Sequence, residues 1–221
     1  MKRELLDSNI YGKIIEKMEV DFVVNNLPKS NIIVYGSDVI RRELRDTPKE
    51  KIMIAENKKK KIRILLLNLY DFIVKNHQLK TTNDVKGLAE AYYIAYKKFG
   101  GFKVREDIIN DFIIISTATL NKLDVIYSED NRTMLSIHAV KSYELVNSIK
   151  KLKTPKFKSY EELKMKSARS SPNKLLYTFP YFRIFHRVLY ISNQLFLIFV
   201  RFFTFFCHII KSVNQRYKPF A

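Results

Sequence analysis

The sequence predicts an α/β domain, a doubly wound parallel sheet flanked by helices. Short apolar or β-branched runs (Arg3 to Asp7, Asn31 to Tyr35, Asp124 to Tyr127) end in polar residues, as strands do. Longer segments with apolar residues at helical spacing separate them. Parallel neighbours need such crossovers, so the alternation points to a parallel sheet with helices on both faces.

The elements follow in order. Arg3 to Asp7 is a short buried strand. From Ile10 to Asn25, Ile14, Ile15, Met18, Val20, Val23 and Val24 recur at helical spacing. Asn31-Ile-Ile-Val-Tyr35 lies between Pro28 and Gly36 and is the clearest strand. Ser37 or Asp38 can cap the next helix, which carries Glu43. Lys51 to Lys75 reads as one long helix with a Lys58–Lys61 stretch that could grip RNA but reads first as a solvated face. Thr82 or Asn83 caps a helix with Leu88, Ala91, Tyr92 and Ala95 on its apolar face, and Gly100-Gly101 stops it. The segment from Asp107 to Leu123 is β-branched enough to be a strand, yet long and breaker-free enough to be a helix. Propensity leaves both open. Asp124 to Tyr127 is a third strand, and a further helix runs from about Arg132 to Lys150.

The composition narrows the partners. Among 221 residues, 40 Lys plus Arg face 22 Asp plus Glu, a net charge of +18. Such a surplus suits a polyanion, nucleic acid or an anionic membrane surface. A single cysteine, Cys207, excludes an internal disulfide and a cysteine-built metal site, and suits a reducing compartment. The first residues carry no long apolar run of the secretory type. A cytoplasmic location is expected. The histidines (His77, His138, His186, His208) lack zinc spacing, and the glycines form neither a P-loop nor a dinucleotide fingerprint.

Four carboxylates stand at the edges of apolar segments: Asp7, Glu43, Asp111 and Asp130. An acid rarely approaches a core without a partner. In a parallel sheet, ligands gather at the carboxyl ends of the strands. Asp7 ends the first strand, Asp130 follows the third, and Glu43 lies about two turns into the helix after the second. If Asp107 to Leu123 is helical, Asp111 sits in its first turns and all four can meet. Two like charges ~4 Å apart repel by ~4 kcal/mol at an effective dielectric of ~20. A divalent cation reverses that sign, and an all-oxygen set favours Mg²⁺ or Mn²⁺ over Zn²⁺.

These residues carry a resemblance. Leu5-Leu-Asp-Ser-Asn-Ile10 resembles the opening of PIN domains, Glu43 matches the position of the family's second acid, and Asn110-Asp-Phe-Ile-Ile-Ile-Ser-Thr-Ala118 looks like its third motif. Tyr127-Ser-Glu-Asp-Asn-Arg-Thr-Met134 is similar to the fourth. The resemblance covers about residues 1–165. It implies a doubly wound fold, a helix at the ambiguous segment, Mg²⁺ or Mn²⁺ dependence and endoribonuclease activity. It also implies that Asp7, Glu43, Asp111 and Asp130 are metal ligands and that Asn9, Ser128 and Asn131 are supporting polar groups. The chain departs from compact VapC-type toxins in its longer Glu43–Asp111 span, and in carrying Phe112 where many relatives have Ala.

Other acids are given structural roles. Asp46, on the helical face of Glu43, could be a fifth ligand but reads first as a solvated or end-of-helix acid before Pro48; Glu106 and Asp107 suit a first helical turn, Glu129 points away to solvent, and Glu90 is a surface or supporting residue. Tyr92, Tyr93 and Tyr96 belong to a core at that spacing. No acid follows Glu162, and the remainder is rich in Phe. Residues 166–174 read as a linker, and 175–221 as an acid-free tail. Val188 to Ile210 is long enough to cross a bilayer but contains Arg201. The tail reads as a read-through extension, a membrane anchor or an amphipathic partner helix. The functional expectation is a metal-dependent endoribonuclease acting on RNA, as the toxin of a toxin–antitoxin pair or as a processing nuclease, with an antitoxin protein and a second copy of the chain as the expected protein partners. The alternatives are a non-catalytic RNA-binding scaffold and a membrane-anchored interaction protein.

Overall fold

The structure is a computed structural model and describes residues 1–48, 52–55 and 58–169. Along the chain run β1 (Lys2–Leu6), α1 (Ser8–Glu16), α2 (Val20–Asn26), a 3-10 turn (Leu27–Lys29), β2 (Ile32–Ser37) and α3 (Asp38–Asp46). Then come β3 (Ile52–Ala55), β4 (Lys58–Lys61), α4 (Ile62–Val74), β5 (Gln78–Leu79), α5 (Asn83–Lys98) and α6 (Arg105–Leu120). β6 (Val125–Tyr127), α7 (Ile137–Ile149), β7 (Lys156–Lys158) and α8 (Tyr160–Arg169) complete the described chain.

Five strands form one sheet in the order β5-β2-β1-β6-β7, and every pairing in it is parallel. The chain winds outward from β1 through β2 to β5, then returns to β6 and winds the other way to β7. With right-handed crossovers this puts the helices on both faces. One layer holds α1 to α4, and α8 packs there against α2; α5, α6 and α7 pack together as the other. Leu5, Leu6, Ile126 and Tyr127 of the central strands are fully buried between them. The expected α/β architecture is therefore observed.

The segment from Asp107 onward is helical, as the resemblance implies: α6 buries Ile108, Phe112, Ile114, Ile115 and Ala118. Phe112 packs edge-on against Tyr92, Tyr96 and Tyr143, with ring centroids 6.3, 5.7 and 5.7 Å away. It binds α6 to α5 and α7.

Several boundaries differ from expectation. The span from Ile10 to Asn25 is two helices, because Met18 takes a left-handed φ of 56°. There the Met18 and Glu19 N–H groups bond back to the Ile15 and Ile14 carbonyls, closing α1. The helix expected from Lys51 to Lys75 begins only at Ile62; β3 and β4 pair antiparallel before it, with Ile52 opposite Lys61 and Ala55 opposite Lys58. A helical Lys58–Lys61 would crowd like charges at i, i+3. The helix expected from Arg132 starts at Ile137, capped by Ser136. Lys166 to Arg169, expected as linker, is the end of α8. Residues 170–221 lie outside the described residues, and with them the tail and its 188–210 segment. Among the described residues no helix is long and apolar enough to cross a membrane.

Candidate active site

The strand order reverses between β1 and β6, and their carboxyl ends open the crevice where parallel sheets bind ligands. Asp7 follows β1 and is itself the N-cap of α1, its side chain accepting from Ser8 N–H at 2.7 Å. Its backbone N–H donates to the Tyr127 carbonyl of β6 at 2.9 Å, which locks the two strand ends together. Its other carboxylate oxygen accepts from Asn9 Nδ2 at 2.6 Å and Ser128 Oγ at 2.8 Å. Asn9 reaches across too, donating to Ser128 Oγ at 3.1 Å and accepting from Glu129 N–H at 3.3 Å. Asp7 is only 4% exposed. Burial pushes its carboxyl up to about 6; the Ser128 and Ser8 hydrogen bonds oppose that rise, and Glu43 and Asp130 add to it.

Asp130 sits in the turn after β6. One oxygen accepts from the Arg132 and Thr133 N–H groups at 2.9 and 3.0 Å, and the other from the Thr133 hydroxyl. Burial alone would raise its carboxyl, but these donors outweigh it and hold it below the usual range. It is thus the most firmly ionised of the four. Asp111, in the second turn of α6, is the opposite case. Burial drives its carboxyl up to about 8, Thr133 opposes this, and Asp7, Asp130 and Glu43 push it further up. Glu43 of α3 is raised by burial, with Ser8 and Asn110 as hydrogen-bonding partners that counter the rise.

All four acids line one open cleft of about 560 Å³, with Ser8, Asn110 and Thr133 on its wall. Two further acids, Asp107 and Glu129, line it as well. Among the described residues, no three His, Cys, Asp or Glu side chains are gathered closely enough to hold a metal ion as they stand. The donor set is nonetheless all oxygen, and its burial and mutual repulsion are the conditions a hard divalent cation relieves. Asn9 and Ser128 support Asp7 directly. Asn131 is exposed in the turn, and its backbone N–H donates to the Glu129 carbonyl.

Glu129 differs from expectation. It is half-buried, pairs with Lys13 at 2.8 Å and accepts the Tyr160 N–H at 3.0 Å, because the turn after β6 bends it back over α1 and toward α8. Asp46 is exposed, and Glu90 pairs with Arg105. Ser8, Asn110 and Thr133 stand inside the motifs quoted from the sequence, which assign them no role of their own. A hydroxyl residue three positions after a turn aspartate was the available signal for Thr133. Glu4 was missed as well: it is fully buried in β1 and paired with Lys166 of α8.

No protein-family model matches the chain, and no curated protein matches it. Among solved structures, VapBC2 from Rickettsia felis, bound to a DNA fragment from its promoter, is similar at 12% identity and a TM-score of 0.43. That match covers 71% of this chain and 98% of the other. FitAB bound to an IR36 DNA fragment is similar at 13% identity and a TM-score of 0.42, over 71% and 94% of the two chains. DNA-bound VapBC from Salmonella typhimurium is similar at 15% identity and a TM-score of 0.44, over 72% and 99%.

Proposed function

We propose that this chain is a PIN-type endoribonuclease that hydrolyses RNA phosphodiester bonds with Mg²⁺ or Mn²⁺ held by Asp7, Glu43, Asp111 and Asp130. The observation that carries this reading is the shared cleft: four acids from four separate elements line one crevice at the strand-order reversal, in a chain of net charge +18. Bound divalent ions would supply an activated water and neutralise charge on the scissile phosphate. The chain's own residues prepare for that. Ser128 and Asn9 aim the Asp7 carboxylate, and Thr133 fixes Asp130 in its ionised form. Asp111 must give up its proton for all four acids to act as ligands, so cation binding and deprotonation are coupled. The basic surface draws the RNA backbone to the site. The biological setting we propose is a cytoplasmic toxin silenced by a protein antitoxin; a processing nuclease uses the same chemistry.

A second reading, an RNA-binding domain without catalysis, is favoured by one observation: the acids share a cleft but do not close into a three-ligand group. Labelled RNA incubated with Mn²⁺ or with EDTA separates the two. The nuclease reading expects cleavage only with Mn²⁺, and a loss of about a hundredfold or more in both Asp7→Asn and Asp130→Asn. Cleavage that survives both substitutions or EDTA overturns it. RNA retention without cleavage supports the second reading.

A further inference from the structure

Between the helix that carries Glu43 and α4, the chain makes an antiparallel hairpin, β3 and β4, that is no part of the five-stranded sheet. The hairpin strand β4 is Lys58-Lys-Lys-Lys61. Together with Lys49, Lys51 and Arg63, it makes the stretch from 49 to 63 strongly basic, against Glu50 and Glu56 alone. Two paired strands are marginal by themselves, and a strand made only of lysines has no apolar residue to bury, so this element is poorly explained as a stabiliser of the fold.

Its place in the molecule suggests another role. The hairpin leaves α3 at Thr47 and rejoins the chain at Ile62, and the Arg63 guanidinium bonds the Arg45 carbonyl at 3.4 Å across that neck. Thr47 and Ile62 both line a groove of about 920 Å³. The same groove is lined by Ser8, Asn9, Glu43 and Glu129, which also line the acidic cleft. One continuous trough therefore runs from the carboxylates to the base of the lysine strand. Along it, Leu44, Ile62 and Leu66 supply apolar surface. Four acids at one end repel a bare phosphate, so a polyanionic strand entering the cleft needs its attraction elsewhere. The hairpin supplies it at the other end of the trough.

We propose that the β3–β4 hairpin is a phosphate-gripping arm that holds single-stranded RNA whose chain lies along the trough into the acidic cleft. The proposal rests on the nuclease reading for what happens in the cleft, but the grip itself is independent of catalysis. Because β4 is a run of lysines with no base-reading residue among them, the grip is on the phosphate backbone, and the added affinity depends on salt and on RNA length.

The test is binding in EDTA, with no turnover. Fluorescein-labelled single-stranded RNA of about 20 nucleotides is titrated with the full chain and read by anisotropy at several salt concentrations. A variant with Lys58, Lys59, Lys60 and Lys61 all changed to Gln is compared with one in which all four are Arg, and melting curves check that both fold. Single-stranded contacts each contribute about 0.7 to the slope of log K against log salt. The Gln variant is expected to bind at least about tenfold more weakly, with a slope reduced by roughly 2, while the Arg variant keeps both. Equal affinity and slope in wild type and Gln variant overturns the proposal. So does a wild type that does not hold RNA, or a Gln variant that loses only its binding to anionic vesicles. If the Gln variant shows the expected loss while wild type cleaves nothing with Mn²⁺, the grip stands and the nuclease reading fails.

Discussion

Asp7 and Asp111 show how burial and hydrogen bonding divide labour among like charges. Asp7 sits in a ring of donors, whereas Asp111 has Thr133 and three repelling carboxylates. The folded Asp111 carboxyl is raised from 3.8 to about 8, so the native state binds the proton more tightly than the unfolded chain. Stability contributed at this residue is present at low pH and is lost as pH rises toward 8. In EDTA, Asp111→Asn is therefore expected to be more stable than wild type at pH 9, by up to about 5 kcal/mol, and to show little difference at pH 4. Mn²⁺ should reverse the order at pH 8, because only wild type keeps the full ligand set. Equal pH profiles for the two proteins in EDTA would contradict this account. Asp7 and Asp130 were legible in the sequence because strand ends announce themselves through apolar runs that stop at an acid. Thr133 was not, since its role depends on the turn that Asp130 itself folds.

At the scale of elements, α6 was the ambiguous one, and its neighbours decide it. A β-branched run can be helical where most of the helix is covered, and α6 packs on α5 and α3 and sets Phe112 against Tyr143 of α7. The seam is aromatic. Tyr92 of α5 donates to Asn147 Oδ1 of α7 at 2.6 Å and lies 3.3 Å from Thr119 Oγ1 of α6. Phe112 fills the space between Tyr92, Tyr96 and Tyr143. Phe112→Ala is expected to cost about 3–5 kcal/mol in urea denaturation, and Tyr92→Phe about 1 kcal/mol. A Phe112→Ala cost near zero would mean that the seam does not hold α6. The lysine hairpin marks the opposite limit of legibility. Apolar residues at 52–54 and 62–69 share a helical period by coincidence, and the sequence between them has no Gly or Pro to interrupt it. Met18 hides the α1–α2 break in the same way: a non-glycine residue takes the left-handed φ that a sequence reading reserves for Gly or Asn.

At the scale of the whole molecule, the domain boundary depends on a residue near one end and a strand near the other. Glu4 is fully buried in β1, and its carboxylate is reached by Lys166 from α8. A boundary at residue 165, drawn where the acids stop, would remove that lysine and leave a charge in the interior. Nothing local marks it: Lys166 looks like any basic residue in a polar stretch, and Glu4 precedes two leucines and an aspartate that draw the eye instead. Removing one member of a buried pair typically costs about 3–5 kcal/mol, since the remaining charge loses its compensation. A chain ending at residue 165 is therefore expected to be less stable than one ending at 170 by about 3 kcal/mol. Glu4→Gln should recover part of that loss in the shorter chain, because it removes the stranded charge, while destabilising the longer one. Chemical denaturation of the four proteins gives the coupling directly. If the two lengths have equal stability, or if Glu4→Gln shifts both by the same amount, α8 is held by its apolar contacts alone and the Glu4–Lys166 pair does not join the ends of the fold.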